Sequence, residues 1–223
     1  MDSMQAIENR HSVRNYLEKR IEADILSKLN EEVALCNRVS GLNIQLITEE
    51  PDAFGGFMAH YGKFNHVTNY FALIGKKEPQ LDETAGYYGE QLVLKAQQLG
   101  LNTCWVALTF RKNKSRCVVK EGEKLVCVIA LGYGKTQGVP HKSKPLEKLY
   151  EESGKMPDWF LNGMKAAQLA PTATNQQKFL FTLTENKVSA RATGGVYSKV
   201  DLGIVKKHFE IGAGAEQFEW AHL

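Results

Sequence analysis

The spacing of apolar positions changes several times along the chain, and each change marks an element. Residues 2–10 carry a short helical pattern opened by Asp2, with Gln5 three residues on, a pairing that satisfies exposed amides at a helix start. From His11 to Tyr16 that period stops. Ile21, Ile25, Leu29 and Val33 then stand four apart, which predicts a core-facing helix over 21–36. "LNIQLIT" alternates from Leu42 to Ile47 and predicts a strand with one buried face, and "NYFALIG" predicts a short buried strand. Between them, "PDAFGGFMAHYGKFNHVT" (51–68) has no period and reads as a long loop, a candidate lid. Tyr88, Leu92, Ala96 and Leu99 predict a helix over 84–99 closed by Gly100. The apolar run Leu125–Tyr133 predicts a strand covered on both faces.

Between about Lys135 and Met156 the chain turns polar and basic and is broken by Pro140 and Pro145, the character of a connector. It divides the chain into an expected first unit over 1–150 and a second over 151–223. The second opens with a helix over Asp158–Leu169, which Pro171 ends. "KFLFTLT" and "KVSARAT" follow as a hairpin through Glu185 and Asn186. A last helix, capped by Asp201, places Leu202, Val205 and Phe209 on one side.

Composition narrows the class. With 223 residues, 43% hydrophobic and 24% charged, the chain has the balance of a globular protein rather than a disordered one. A formal net charge of +3 is too small to point to nucleic acid. No apolar run reaches the roughly 18 residues of a membrane span, and the N-terminus lacks the apolar core of a signal peptide, so a cytoplasmic protein without a membrane partner is expected. Cys36, Cys104, Cys117 and Cys127 form no CxxC pair, which favours reduced thiols and no zinc.

The candidate chemistry starts at "RHSVRNY", residues 10–16. In an extended segment Arg10, Ser12 and Arg14 share one face while His11 and Val13 share the other. Two guanidinium forks beside a hydroxyl match the oxygens of a phosphate, although a solvated charged edge has the same spacing. "LGYGKT" is not a P-loop, because the position five before Gly134 is Ile129 rather than glycine. His141, Lys142 and Lys144 form a basic loop that is either solvated or lends charge to a phosphate held elsewhere. "LAPTATNQQ" (169–177) gathers small and amide side chains after a proline-ended helix, suited to a flat heteroaromatic edge or to an ordinary turn. His60, His66 and His208 show no metal-ligand spacing, and no nucleophile stands out, so no catalytic side chain is assigned.

Together "RHSVRNY", "YYGEQLVLKAQQLGLNTCWV", "VCVIALGYG" with "KSKPLEKL", and "APTATNQQ" resemble the flavin-binding nitroreductase family from residue 6 to about 180. The resemblance implies an α+β fold, nitroreductase-like, with a central, mostly antiparallel sheet flanked by helices. It implies that Arg10, His11, Ser12 and Arg14 hold the FMN phosphate and that Lys142 and Lys144 approach it. Thr172, Ala173, Asn175 and Gln177 would border the flavin ring, and the backbone of Trp105, Val106 and Ala107 would lie over it. The implied activity is hydride transfer from NADH or NADPH through FMN to a small nitro-bearing or conjugated acceptor.

The order of the motifs departs from the usual pattern: "GLNIQL" stands where the small-polar segment is expected, and that segment arrives only after residue 169. The chain thus resembles a compact branch with two related units, a pseudo-dimer in which the second unit replaces part of a partner subunit. Further oligomerisation is compatible with this. Ala107-Leu108 replaces a common Glu-Gly pair, and Gln177-Lys178-Phe179 replaces Gln-Pro-Trp, so the ring pocket is altered. The alternatives are a non-catalytic flavin carrier or sensor and a basic nucleic-acid-binding protein. The second is disfavoured because the aromatics sit in apolar segments, not beside the basic residues.

Overall fold

The computed structural model describes residues 1–57, 61–151, 154 and 156–221. They form two compact units, one of residues 9–81 and 91–140, the other of residues 1–8, 82–90 and 141–223. The chain passes from one to the other at 140/141, inside the polar stretch. Residues 1–8 and 82–90 join the C-terminal elements, which local patterning gives no means of foreseeing.

The first unit is built on an antiparallel sheet of order β1-β2-β4-β3: β1 (Gln45–Ile47), β2 (Asn69–Lys76), β3 (Asn102–Val106) and β4 (Glu123–Gly132). β2 and β4 are buried on both faces, as their continuous apolar runs require, with a register shift at Leu73/Ile74. Helix α1 (Ser3–Asn9) starts as expected, with Asp2 N–H on Gln5 Oε1 at 3.0 Å and Gln5 N–H on Asp2 Oδ1 at 2.8 Å. Helix α2 (Ala23–Ser40) runs beyond the apolar pattern and closes on Gly41 at φ 73°. There Asn37 brackets Ile44 with bonds of 2.7 and 2.9 Å, and this turn shortens the expected strand to β1. Helix α3 (Leu81–Gln98) ends in a Schellman turn: Gly100 N–H reaches Gln97 O and Leu101 N–H reaches Ala96 O, with Gly100 at φ 81°. Cys36, Cys104 and Cys127 are buried free thiols and Cys117 is half-buried.

The second unit carries a sheet of order β5-β6-β7-β8: β5 (Tyr150–Glu151), β6 (Phe179–Thr184), β7 (Lys187–Ala192) and β8 (Glu219–Trp220). β6 and β7 form the expected hairpin, Thr184 facing Lys187, with Glu185 at φ 58° in the turn; the outer pairs are parallel. Helices α4 (Asp158–Gln168) and α5 (Ser198–Ala213) pack with the sheet around stacked Phe181 and Phe209, whose ring centroids are 4.8 Å apart. Residues 82–90 approach α5 so closely that a Cβ on Gly86 would enter the Val200 carbonyl, and one on Gly203 the Glu83 carbonyl. Asp201 does not cap α5. That position belongs to Tyr197 at φ 56°, and Asp201 lies one turn in, facing a different task.

No helix among the described residues is long and apolar enough to cross a membrane.

Candidate functional site

In the first unit residues 10–17 are extended, and main-chain bonds hold them there. Val13 N–H donates to Thr103 O at 3.0 Å, Tyr16 N–H to Asn65 O at 3.2 Å, Leu17 N–H to Tyr133 O at 2.7 Å and Asn65 N–H to Arg14 O at 2.9 Å. Ser12 thereby bridges Thr103 on the edge strand β3. Val13 and Tyr16 both enter the core although they stand three apart, so the expected two-residue alternation breaks between them, and Tyr16 Oη donates to Val13 O at 2.6 Å. Arg10 is buried, Ser12 half-buried and Arg14 exposed, its guanidinium 5.9 Å from the Phe64 ring centroid. Their convergence is felt at Cys104. Burial pushes its thiol up, and Arg14, a hydrogen bond with Ser12 and Arg10 all act against that rise. His11 is half-buried; its burial, then the Arg10 charge, lower its pKa. Gly138 closes over this segment at φ 74°, and a Cβ there would meet His11 Cβ at 2.7 Å.

Trp105 and Val106 end the same edge strand, and Ala107 follows it. Val106 is core, while Trp105 and Ala107 are half-buried. By the two-residue alternation of a strand, the backbone groups of Trp105 point to the edge on which Thr103 meets Ser12 and Val13. The two ends of the loop 51–68 are anchored in the unit, while Phe57 and Tyr61 are exposed. Phe54, Phe64 and Val67 are buried in the core, and Phe54 meets Phe64 at 5.3 Å and Phe110 at 6.3 Å. Beside it lies a cleft of about 710 Å³ bounded by Arg20, Ile21, Glu49, Phe54, Phe64 and His66. No residue singled out as flavin-binding lines it. His60 lies outside the described residues.

In the second unit the basic loop and the small-polar turn are joined. Asn175 Nδ2 donates to Lys142 O at 2.7 Å, Lys144 N–H to Gln177 Oε1 at 2.6 Å, and Lys144 Nζ to Gln177 O at 2.7 Å. Gln177, 1% exposed, spends its other amide end on Gln168 O at 2.8 Å, and its N–H donates to Thr172 Oγ1 at 3.0 Å. Its side chain is therefore a brace between three segments. Lys142 is exposed, and Thr172 and Ala173 are half-buried.

Patterning missed the groups that hold this turn. Asp201, 4% exposed, accepts Ala173 N–H on Oδ1 at 2.9 Å and Gln176 Nε2 on Oδ2 at 2.7 Å. Burial pushes its carboxyl up to about 6 against those two bonds. Gly195 leaves room for Gln176, whose amide a Cβ would overrun. A second missed pair is fully buried: His208 Nε2 stands 2.8 Å from Glu90 Oε1, and His208 Nδ1 stands 3.1 Å from Ala166 O. Glu90 and His208 are too far apart in sequence for any motif spacing to reveal.

A family model described as "Putative TM nitroreductase" matches residues 2–213. No curated protein matches the sequence. Among solved structures, a "putative nitroreductase" from Thermotoga maritima is 22% identical, covers 97% of this chain and 85% of its own, and has a TM-score of 0.70. A Desulfovibrio desulfuricans protein, described as a "putative nitroreductase in complex with FMN", is 16% identical over 70% of this chain and 99% of its own, TM-score 0.55. A "Putative NADH dehydrogenase/NAD(P)H nitroreductase" from Parabacteroides distasonis is 17% identical over 68% and 98%, TM-score 0.53. At these identities the likeness is one of fold, and it agrees with the α+β, nitroreductase-like architecture.

Proposed function

The chain belongs to the TM nitroreductase family, and from that premise we propose that it is an FMN-dependent oxidoreductase that takes hydride from NADH or NADPH and reduces a small nitro-bearing or conjugated acceptor. The observation that carries this reading is the pinning of the segment bearing Arg10, Ser12 and Arg14 to the edge strand β3 at Thr103, beside the Cys104 thiol on which all three act. Two guanidinium groups and a hydroxyl on one pinned segment fit a phosphate monoester in donor type and charge. Support also comes from the fold-level relative described as bound to FMN.

Each unit has its own set of residues in this proposal. Arg10, His11, Ser12 and Arg14 hold the phosphate, and Trp105, Val106 and Ala107 offer backbone to the ring. Lys142 and Lys144 add positive charge, and Thr172, Ala173 and Asn175 border the ring, with Gln177 bracing their turn. FMN, when bound, supplies the hydride chemistry; the protein orients it and limits access of water. One FMN per chain is the expected loading.

The test is the visible spectrum of purified protein, followed by quantitation of any flavin that heat releases. About one FMN per chain, and NADH oxidation faster than free FMN supports, is the expected result. A yellow protein with no such acceleration is a carrier or sensor, and a colourless one that takes up no FMN overturns the reading. Arg14→Ala sharpens the phosphate assignment: FMN affinity should fall roughly tenfold to a hundredfold, the worth of one charge-assisted bond, with riboflavin affinity unchanged.

A further inference from the structure

The turn Thr172–Gln177 holds Thr174 at φ 52°, Asn175 at φ 55° and Gln177 at φ 43°. These are left-handed conformations that side-chain-bearing residues avoid, most of all a β-branched threonine. Such a cluster persists only where its surroundings over-determine it, and ligand clamps are a common setting. What over-determines this one is a carboxylate taken from a neighbouring helix. Asp201 sits in the first turn of α5, where it would ordinarily be free to serve the helix's own amides; its oxygens instead face Ala173 N–H and Gln176 Nε2. The second amide hydrogen of Gln176 goes to Val196 O at 2.9 Å, so the turn is tied to α5 and to the loop before it. Burying a carboxylate against neutral donors alone costs stability, and that cost is spent on a turn rather than on the core.

We propose that Asp201 is a positioning residue for the ligand site: it holds the turn Thr172–Gln177 in its left-handed form, which presents Thr172, Ala173 and Asn175 to a bound flavin ring. This rests on the FMN reading, since the ring is what the turn would border. Asp201 itself touches no ligand. It acts through the Ala173 backbone and the Gln176 amide.

The experiment compares wild type, Asp201→Ala and Asp201→Asn for affinity toward FMN and toward riboflavin, with visible circular dichroism of the bound flavin. A residue that places ring contacts affects both flavins alike, whereas loss of a phosphate contact affects FMN only. Asp201→Ala should weaken FMN and riboflavin by the same factor, at least tenfold, and change the visible dichroism. Asp201→Asn keeps an acceptor for Ala173 N–H and opposes Gln176, so its loss should be equal for both flavins but about threefold. If Asp201→Ala does not fold, Asp201→Asn decides.

Hydrogen exchange at the Ala173 amide supplies a readout independent of flavin: protected in wild type and Asp201→Asn, faster in Asp201→Ala. Folded variants that bind both flavins as wild type does, with unchanged dichroism, overturn the proposal and leave the FMN reading intact. Wild type that takes up neither flavin removes the FMN reading, and the positioning role with it.

Discussion

The segment 10–17 and the turn 172–177 both hold irregular backbone, by opposite means. The first is fixed by main-chain bonds to Thr103, Asn65 and Tyr133, which almost any sequence could make. The second is fixed by side chains: Asp201, Gln176, Gln177 and Thr172 each bond to backbone or to one another. Residue identity therefore carries different information in the two places. At 10–14 the backbone bonds make no demand on the exposed Arg14 side chain, whereas Arg10 is buried, and the ligand role of this segment is the proposal that the Arg14 variant tests. At 172–177 much of the polar composition is consumed by the turn itself, and a reading of Gln177 as a ring contact gives way to one of Gln177 as a brace.

If the second unit depends on side-chain bonds, its buried pair should be its weakest point under mutation. Glu90→Ala leaves His208 Nε2 facing a void, and removing one partner of a buried pair costs about 3–5 kcal/mol; Glu90→Gln retains a hydrogen-bonding group and should cost about 1 kcal/mol. Urea unfolding measures both. A loss below about 1 kcal/mol for Glu90→Ala would break the comparison at its base.

The pH dependence of Asp201 comes next in size. Its carboxyl is pushed up to about 6 from 3.8. Between those values the folded protein holds a proton that the unfolded chain releases, so this group's contribution is fully present below about pH 4 and is lost as pH rises through about 6. At about 1.4 kcal/mol per unit the total is about 3 kcal/mol. Glu22, Glu123 and Glu216 have lowered values and slope the other way. The measurement is therefore the difference between wild type and Asp201→Asn from pH 3.5 to 7, expected to shrink toward low pH as the wild-type penalty disappears.

A smaller effect tests the main-chain side of the comparison. Gly138→Ala puts a Cβ at φ 74° against His11 and the Ser12 carbonyl, an overpacking cost of about 1–3 kcal/mol. The stitched segment cannot move away without giving up its bonds to β3. An unfolding midpoint unchanged from wild type would mean that residues 10–13 are looser than their bonds imply.

How far the sequence revealed the molecule follows the same division. Elements whose burial repeats with a period were legible: α2 through Leu29 and Val33, β4 through its continuous run, and the β6–β7 hairpin through alternation around Glu185. Alternation predicts Arg10, Ser12 and Arg14 on one face, but the rule breaks locally: Arg10 is buried, Arg14 is exposed, and Tyr16 enters the core as Val13 does. Asp201 was noticed for its type and given the wrong task, since a carboxylate near a helix start looks the same whether it caps that helix or a turn that precedes it by 28 residues. Glu90 and His208, 118 residues apart, had no local signature, and neither did the assignment of residues 82–90 to the C-terminal unit. Loop 51–68 lacked a period because, among its described aromatics, Phe54 and Phe64 enter the core while Phe57 and Tyr61 are exposed.

The smallest expected stability effect is the most discriminating. Arg14 is exposed, its guanidinium 5.9 Å from the Phe64 ring centroid, a contact worth about 0.5 kcal/mol at an exposed site. Arg14→Ala should thus move the unfolding free energy by no more than about that amount, in the range of ordinary surface changes. A much larger loss of stability would mean that Arg14 is scaffold, as Asp201 and Gln177 are, and the contrast between the two regions would collapse. A small loss leaves Arg14 outside the scaffold, on a segment that main-chain bonds hold in place, and the comparison of FMN with riboflavin then decides whether it meets a phosphate.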